Sequence, residues 1–250
     1  AMDLDMFKNQ ANQGNLNLLN KWGHTVLSSP FGDLASGLVG PGRMAEPDKM
    51  YFAIRSYLLK DEFWYGKKVI LTSGPTRESI DPVRFLSNGS SGKTGVALLT
   101  ALVDRGAIIT WVHGLSHYHL IDMENVLYKP VITALEMRDE VMKAWSDSDI
   151  YIGAAAVSDY RPKQSFKQKI KKSNTGLDSI KYELNPDILS EVGDKKMKGQ
   201  YSLGFALETD NGEEEALRKL KSKKADAIVL NYANKKGVGI NSETNAVTLV

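Results

Sequence analysis

The sequence predicts a doubly wound α/β domain built on a mostly parallel sheet, and three observations carry that prediction. From Lys67 onward, short apolar runs rich in β-branched residues alternate with stretches of helical period. Strands that alternate with helices are joined by right-handed crossovers, which lay them side by side in parallel. The segments directly after the apolar runs, "TSGPTR", "VHGLSH", "AAAVSDYR", "ALETDN" and "LNYANK", are rich in Gly, Ser, Thr, Asn and charge. Such sheets bind ligands just beyond the carboxyl ends of their strands, so these tips place the site before any motif does.

In chain order, residues 1–60 differ from the remainder of the chain. "NQGNLNLLNKWG" has helical spacing and stops at Gly23, "HTVLSSP" reads as a short strand, and "DKMYFAIRSYLLKD" closes the region as a helix. Residues 61–66, within "DEFWYGKK", read as a linker into a second unit over 67–250. There "KKVILTSG" is a buried strand, "GKTGVALLTALVDRG" a helix ending at Gly106, and "AIITWVHG" the next strand. "EMRDEVMKAWSDS" (helix), "DIYIGAAAVSDY" (strand), "YSLGFALET" (strand), "GEEEALRKLKSKK" (helix) and "ADAIVLN" (strand) complete the series.

Composition excludes several functions. With 250 residues, 42% hydrophobic and 25% charged, the chain reads as globular, with no apolar run of membrane-span length and no signal-peptide pattern. A net charge of +2 makes no case for nucleic acid. The absence of cysteine excludes disulfides, thiolate metal sites and a cysteine nucleophile, and fits a cytoplasmic setting. His113, His117 and His119 have a spacing that suits a metal, but a solvated loop after a strand is the better reading. The opening without methionine and the apolar final run "NAVTLV" read as a piece of something longer.

"SNGSSGKT" at 87–94 imitates a P-loop, with Ser87 where the first glycine belongs. A true P-loop joins the first strand directly to its helix, whereas "GPTRESIDPVRFLSN" intervenes here. Gly89, Ser90, Ser91 and Gly92 still offer backbone N–H groups at a helix N-terminus, where the dipole favours an anion, and Lys93 adds charge. A plain serine–glycine turn capping a helix is the alternative.

"TSGPTRESIDPVRFLSNGSSGKTG" closely resembles the signature of bacterial phosphopantothenate–cysteine ligase, the second half of a bifunctional coenzyme A flavoprotein. The resemblance continues in order through "GAAAVSDYRP", "QKIKK", "LNPDIL", "GFALET" and "KKADAIVLN". It implies a Rossmann-like ligase domain over 67–250, short of its carboxyl-terminal end. "AMDLDM" and "GDLASGLVGPGRMAEP" look like the last third of the flavodoxin-like phosphopantothenoylcysteine decarboxylase domain. That family has asparagine where Asp3 stands, and its reactive-loop cysteine corresponds to Ser36, so decarboxylase activity is doubtful in this chain.

The resemblance implies that 4′-phosphopantothenate attacks CTP, with Mg²⁺, to give an acyl-cytidylate and pyrophosphate, and that cysteine then takes the acyl group. It implies Asn88 holding the acyl-cytidylate, Arg84 orienting phosphate, and Lys169 contacting the nucleotide and transition state. It assigns Gly153, Ala154, Ala155, Asp159, Pro186, Asp187, Ile188, Leu189, Phe205, Lys219 and Lys223 to the CTP pocket. From the residues themselves, Gly153 to Ala156 form a small-side-chain strand tip that lets a nucleotide approach the backbone, or simply a tightly packed strand. Arg161, Lys163, Lys167, Lys171 and Lys172 flank Lys169 in a basic run that is either a solvated loop or a cover for phosphates. "NPDIL" reads as a helix start with Asn185 as cap and Pro186 in the first turn, while Lys219 and Lys223 share one helix face. The family forms dimers through the ligase domain; FMN and further assembly belong to the longer protein. A nicotinamide-dependent oxidoreductase needs a glycine fingerprint that "TSGPTRES" lacks, and a non-catalytic assembly subunit is the remaining alternative.

Overall fold

The computed structural model describes residues 1–115, 123, 125–171, 180–208, 211–232 and 244–250. His117, His119 and Lys172 lie outside the described residues. The chain divides into two compact units, Ala1–Lys60 and Asp61–Val250.

The first unit contains α1 (Leu4–Lys8), α2 (Gln10–Lys21), the antiparallel pair β1 (Phe31–Asp33) and β2 (Val39–Pro41), and α3 (Pro47–Leu59). Asn9 caps α2 by accepting from the Ala11 N–H, and Pro47 opens α3 where its missing N–H costs nothing. None of the three helices has a buried residue. The expected strand at "HTVLSSP" is absent: those residues have no regular structure and no described neighbouring strand to pair with.

The second unit contains β3 (Lys68–Ser73), β4 (Arg77–Ser79), β5 (Phe85–Ser87), α4 (Lys93–Asp104), β6 (Ile108–His113), β7 (Val126–Pro130) and α5 (Ala134–Trp145). It continues with β8 (Ile150–Gly153), β9 (Tyr160–Pro162), β10 (Tyr182–Leu184), α6 (Ile188–Asp194), β11 (Tyr201–Glu208), α7 (Gly212–Ser222), β12 (Ala227–Tyr232) and β13 (Val247–Leu249). Seven strands form one sheet in the order β13-β12-β11-β8-β3-β6-β7, parallel except for β13. The doubly wound expectation holds. Residues 61–66 are no free linker: the Gly66 N–H donates to the Gly106 carbonyl, and Trp64 packs on the core. The strand expected to run through Tyr160 stops at Gly153, and β9 pairs instead with β10 in a separate hairpin.

Alternation along the strands divides the core into two faces. Val69, Leu71, Ile109, Trp111, Ile150 and Ile152 point to one face and meet Leu99 and Leu102 of α4. Ile70, Val112 and Tyr151 point to the other and meet Met137, Val141 and Trp145 of α5 with Ile188 and Val192 of α6. Thr133 and Glu136 close a reciprocal capping box at the start of α5. The winding changes direction between β3 and β8, which leaves a crevice above their carboxyl ends.

Tyr151 is fully enclosed, and burial pushes its phenol up to about 12 despite a hydrogen bond with Thr72. Its folded pKa lies above the unfolded value, so its contribution is complete below pH ~10 and fades as pH rises through the folded value; two units correspond to about 3 kcal/mol. Tyr151→Phe is therefore expected to flatten the loss of stability between pH 10 and 12, read from denaturant midpoints across that range. An unchanged alkaline slope refutes this assignment.

Candidate active site

The floor of the site is set by how closely α4 approaches β3. A methyl group on Gly95 would lie 2.0 Å from the Ser73 Cβ, so only glycine allows the first turn of α4 to sit on this strand end. Ser73 accepts a 2.7 Å hydrogen bond from the Trp111 indole, which is itself 1% exposed. The neighbouring tip is equally tight, since a Cβ on Gly114 would stand 1.9 Å from the Pro75 carbonyl oxygen. Above the ladder, the Ala154 N–H donates to the Thr72 carbonyl and the Ala156 N–H to the Gly74 carbonyl. The β3 and β8 tips are thus joined across the crevice.

The serine–glycine turn 89–92 leads into α4 here. Gly92 precedes α4 in the left-handed region, with φ 77°, and its N–H donates to the Ser90 Oγ. The Lys93 N–H donates to the Ser91 Oγ at 3.4 Å. These serine contacts are long, and backbone N–H groups at a helix start are competent anion donors. A cleft of about 920 Å³ opens over the turn. Asn88 through Ala97, Ala154, Ala155, Ala156 and Phe205 line it, so the structure brings those candidates together. Leu207, Asn231, Thr244 and Asn245 complete the wall. Asn231 belongs to the strand tip "LNYANK", whereas Thr244 and Asn245 escaped sequence reading because an Asn or Thr ahead of a short strand carries no spacing signal. Asn231 sits beside Leu207 in the ladder, and its Oδ1 accepts from the Tyr232 N–H.

Asn88 spans the crevice, its Nδ2 donating to the Val157 carbonyl at 2.9 Å. The same Nδ2 also reaches the Ala156 carbonyl at 3.5 Å, so the amide is held against two carbonyls of the β8 tip. Arg84 is engaged elsewhere: it grips the buried Asp81 through Nε and Nη2 and donates to the Ile170 carbonyl. That guanidinium holds the Asp81 carboxyl far below the ordinary carboxylate range. Lys169 is exposed on the segment next to Ile170.

The remaining candidates are held apart from the cleft lining. Asp187, rather than Asn185, is the N-cap of α6 and accepts from the Ser190 N–H, so Pro186 lies before the helix. Asn185 instead donates to the Ser158 carbonyl and accepts from Arg161, fixing the loop that carries the exposed Asp159. The Ile188 side chain is 4% exposed and belongs to the core, and Leu189 packs against Gly204. Asp187 is the exposed residue of that turn. Lys219 pairs with Glu208 at 2.6 Å and Lys223 pairs with Asp187. Gly153 is packed by the Tyr151 ring. In the first unit Asp3 precedes α1 without a side-chain cap bond, and Ser36 accepts from the Leu38 N–H in the β1–β2 turn.

Fold and cleft together define a Rossmann-like α/β domain with a serine–glycine turn lining a cleft at its switch point. Residues 64–250 match the family of the DNA/pantothenate metabolism flavoprotein C-terminal domain, and the chain belongs to that family. Over its whole length it is 40% identical to the coenzyme A biosynthesis bifunctional protein CoaBC of Vibrio vulnificus, spanning 62% of that protein. It is also 40% identical to a cysteine/cysteine sulfinic acid decarboxylase from an unknown prokaryotic organism, of which it spans 70%. The crystal structure of the C-terminal domain of a CoaBC protein superposes with a TM-score of 0.60 at 38% identity, covering 74% of this chain and 81% of that one.

Gly92→Ala is expected to cost about 1–2 kcal/mol, the penalty of a left-handed backbone for an L-residue. It should also weaken pyrophosphate binding measured by calorimetry. A variant with unchanged melting and binding shows that the turn tolerates a different geometry.

Proposed function

We propose that the second unit is a phosphopantothenate–cysteine ligase of coenzyme A biosynthesis that uses CTP. The observation that carries this reading is the joining of Asn88, the anion turn 89–93 and the Ala154–Ala156 tip in one cleft, in a chain of this family. The carboxylate of 4′-phosphopantothenate attacks the α-phosphorus of CTP, and pyrophosphate leaves with the breaking P–O bond. The amine of cysteine then attacks the acyl carbonyl, forming the amide, releasing CMP and giving up a proton to solvent.

The turn N–H groups of 89–93 suit the phosphate of the pantothenate substrate or of the nucleotide, because they present fixed partial positive charge. The Asn88 amide suits the developing oxyanion as a neutral donor that does not compete as a base. Ala154 to Ala156 admit a ligand to the backbone, and Phe205 offers a half-buried ring against which a base can stack. Lys219, Lys223 and Lys169 supply cations, and Asp159 and the Pro186–Leu189 backbone flank the nucleotide. The described residues contain no cluster of three acidic or histidine side chains for a metal. Magnesium retains most of its water and binds through phosphates, so the nucleotide would carry it in. When bound it neutralises phosphate charge.

Cysteine and the pantothenate compound are taken as the other substrates, in a cytoplasmic setting. FMN chemistry and higher assembly are assigned to the longer protein. A homodimer through this unit is supported by the exposed Phe85, Tyr160, Tyr182 and Leu184 on the two small hairpins. Sedimentation is expected to give twice the chain mass, and a monomer at micromolar concentration removes this part.

The principal test is pyrophosphate release with 4′-phosphopantothenate and Mg²⁺, comparing CTP, ATP and no nucleotide. CTP should give release without cysteine, and Asn88→Ala should lower the rate about 100-fold, the usual loss of an oxyanion donor. Preference for ATP overturns the base assignment. Carbon dioxide from cysteine sulfinate without any pyrophosphate overturns the ligase reading in favour of the decarboxylase named for the other relative.

A further inference from the structure

Asp81 is the most heavily used carboxylate among the described residues, and nothing in the ligase reaction calls on it. Its side chain has 0% exposure. Its Oδ1 accepts the Val83 and Arg84 N–H groups, both at 2.8 Å, and so folds the turn between β4 and β5. Its Oδ2 accepts the Arg84 guanidinium and, at 3.2 Å, the Ile170 N–H from 89 positions further along the chain. Arg84 returns to the same residue, donating to the Ile170 carbonyl at 2.9 Å. One main-chain unit is therefore gripped at both its donor and its acceptor.

The same segment is fastened at its other end. The Ser165 hydroxyl donates to the Ser79 carbonyl at 2.8 Å, and the Phe166 N–H to the Ile80 carbonyl at 2.9 Å. Between these anchors Lys167, Gln168 and Lys169 are exposed. The post that holds them is itself fixed. The Arg77 N–H donates to the Ile132 carbonyl, buried Glu78 accepts the first N–H of α5, and the Ser87 hydroxyl donates to the Thr76 carbonyl. Asn88 directly follows β5, so the turn that grips Ile170 also leads into the crevice-spanning amide.

We propose that Asp81 and Arg84 form a latch that positions Lys169, fixing the basic arch 163–171 to the turn that leads through β5 to Asn88. Both are positioning residues, and they act through the Ile170 backbone. Free long side chains on a loop lose entropy when they meet a phosphate, and a pre-set arch removes part of that cost. The catalytic consequence rests on the ligase reading, whereas the latch stands on its own geometry.

Two variants release the arch from opposite sides. Asp81→Asn keeps the shape and the turn acceptor but loses the charge that holds Arg84. Ile170→Pro removes the N–H on the arch side and leaves the Asp81–Arg84 pair in place, so it serves if the first variant folds poorly. Limited trypsin digestion of the folded protein is expected to cut after Lys167 about tenfold faster in either variant, with unchanged cutting in residues 1–60 and an unchanged far-ultraviolet spectrum. Equal cutting at Lys167 in the parent and both folded variants overturns the latch.

The pyrophosphate assay supplies the second arm. Asp81→Asn should raise KM for the nucleotide about tenfold, and in a Lys169→Ala background it should add almost nothing, since both changes remove one function. Fully additive losses overturn the positioning role. A parent protein that releases no pyrophosphate defeats the ligase reading, while the trypsin result still decides the latch.

Discussion

The first turn of α4 rests against the end of β3 without an intervening side chain, and the rest of the site depends on that contact. Gly95 permits it, Ser73 fills the remaining space, and the Trp111 indole pins Ser73 from the neighbouring strand. A helix start pressed this close to a strand tip brings its first N–H groups to the carboxyl edge of the sheet. The left-handed Gly92 then turns the preceding loop across the crevice, where Asn88 reaches the β8 tip. Truncating Trp111 would cost about 3–5 kcal/mol in packing alone and would also remove the donor that holds Ser73.

Around this fixed floor the molecule uses two kinds of polar contact. Short-range bonds join adjacent tips, as between Gly74 and Ala156 or Thr72 and Ala154. Long-range ones import distant segments: Ile170 to Asp81, Asn185 to Ser158, Lys223 to Asp187. Loops with little apolar surface of their own cannot be held by packing, and buried or half-buried ionic bonds are the available substitute. The buried carboxylate of Asp81 is tolerated because every oxygen it exposes to the interior is matched by a donor.

Much of this was legible in the chain. The strands β3, β6 and β12 announce themselves as β-branched runs, and the glycine–serine turn at 89–92 marks the loop that lines the cleft. The features that escaped depended on pairing over distance. The strand β7 is short and comes after a polar stretch, and β9 continues a run that looks like one strand until Tyr160 finds β10. Asn185 looks like a helix cap by position, but Ser158 and Arg161 claim its side chain, and Asp187 takes the capping role two residues on. The resemblance gives Arg84 a phosphate role, and the structure shows its guanidinium on Asp81, three residues earlier. Such competition between partners of similar chemistry is decided by the fold, not by spacing.

The edge of the sheet adds one more consequence. The antiparallel β13 is tied to β12 by main-chain bonds while all three of its side chains remain exposed. A strand secured in this way has little buried area to lose on opening, so its amides belong to the fast-exchanging fraction of the sheet. Thr244 and Asn245, which finish one wall of the cleft, lead directly into it. The cleft therefore has one side set by Gly95 and the joined tips, and another carried on an edge strand that main-chain bonds rather than side-chain packing hold in place.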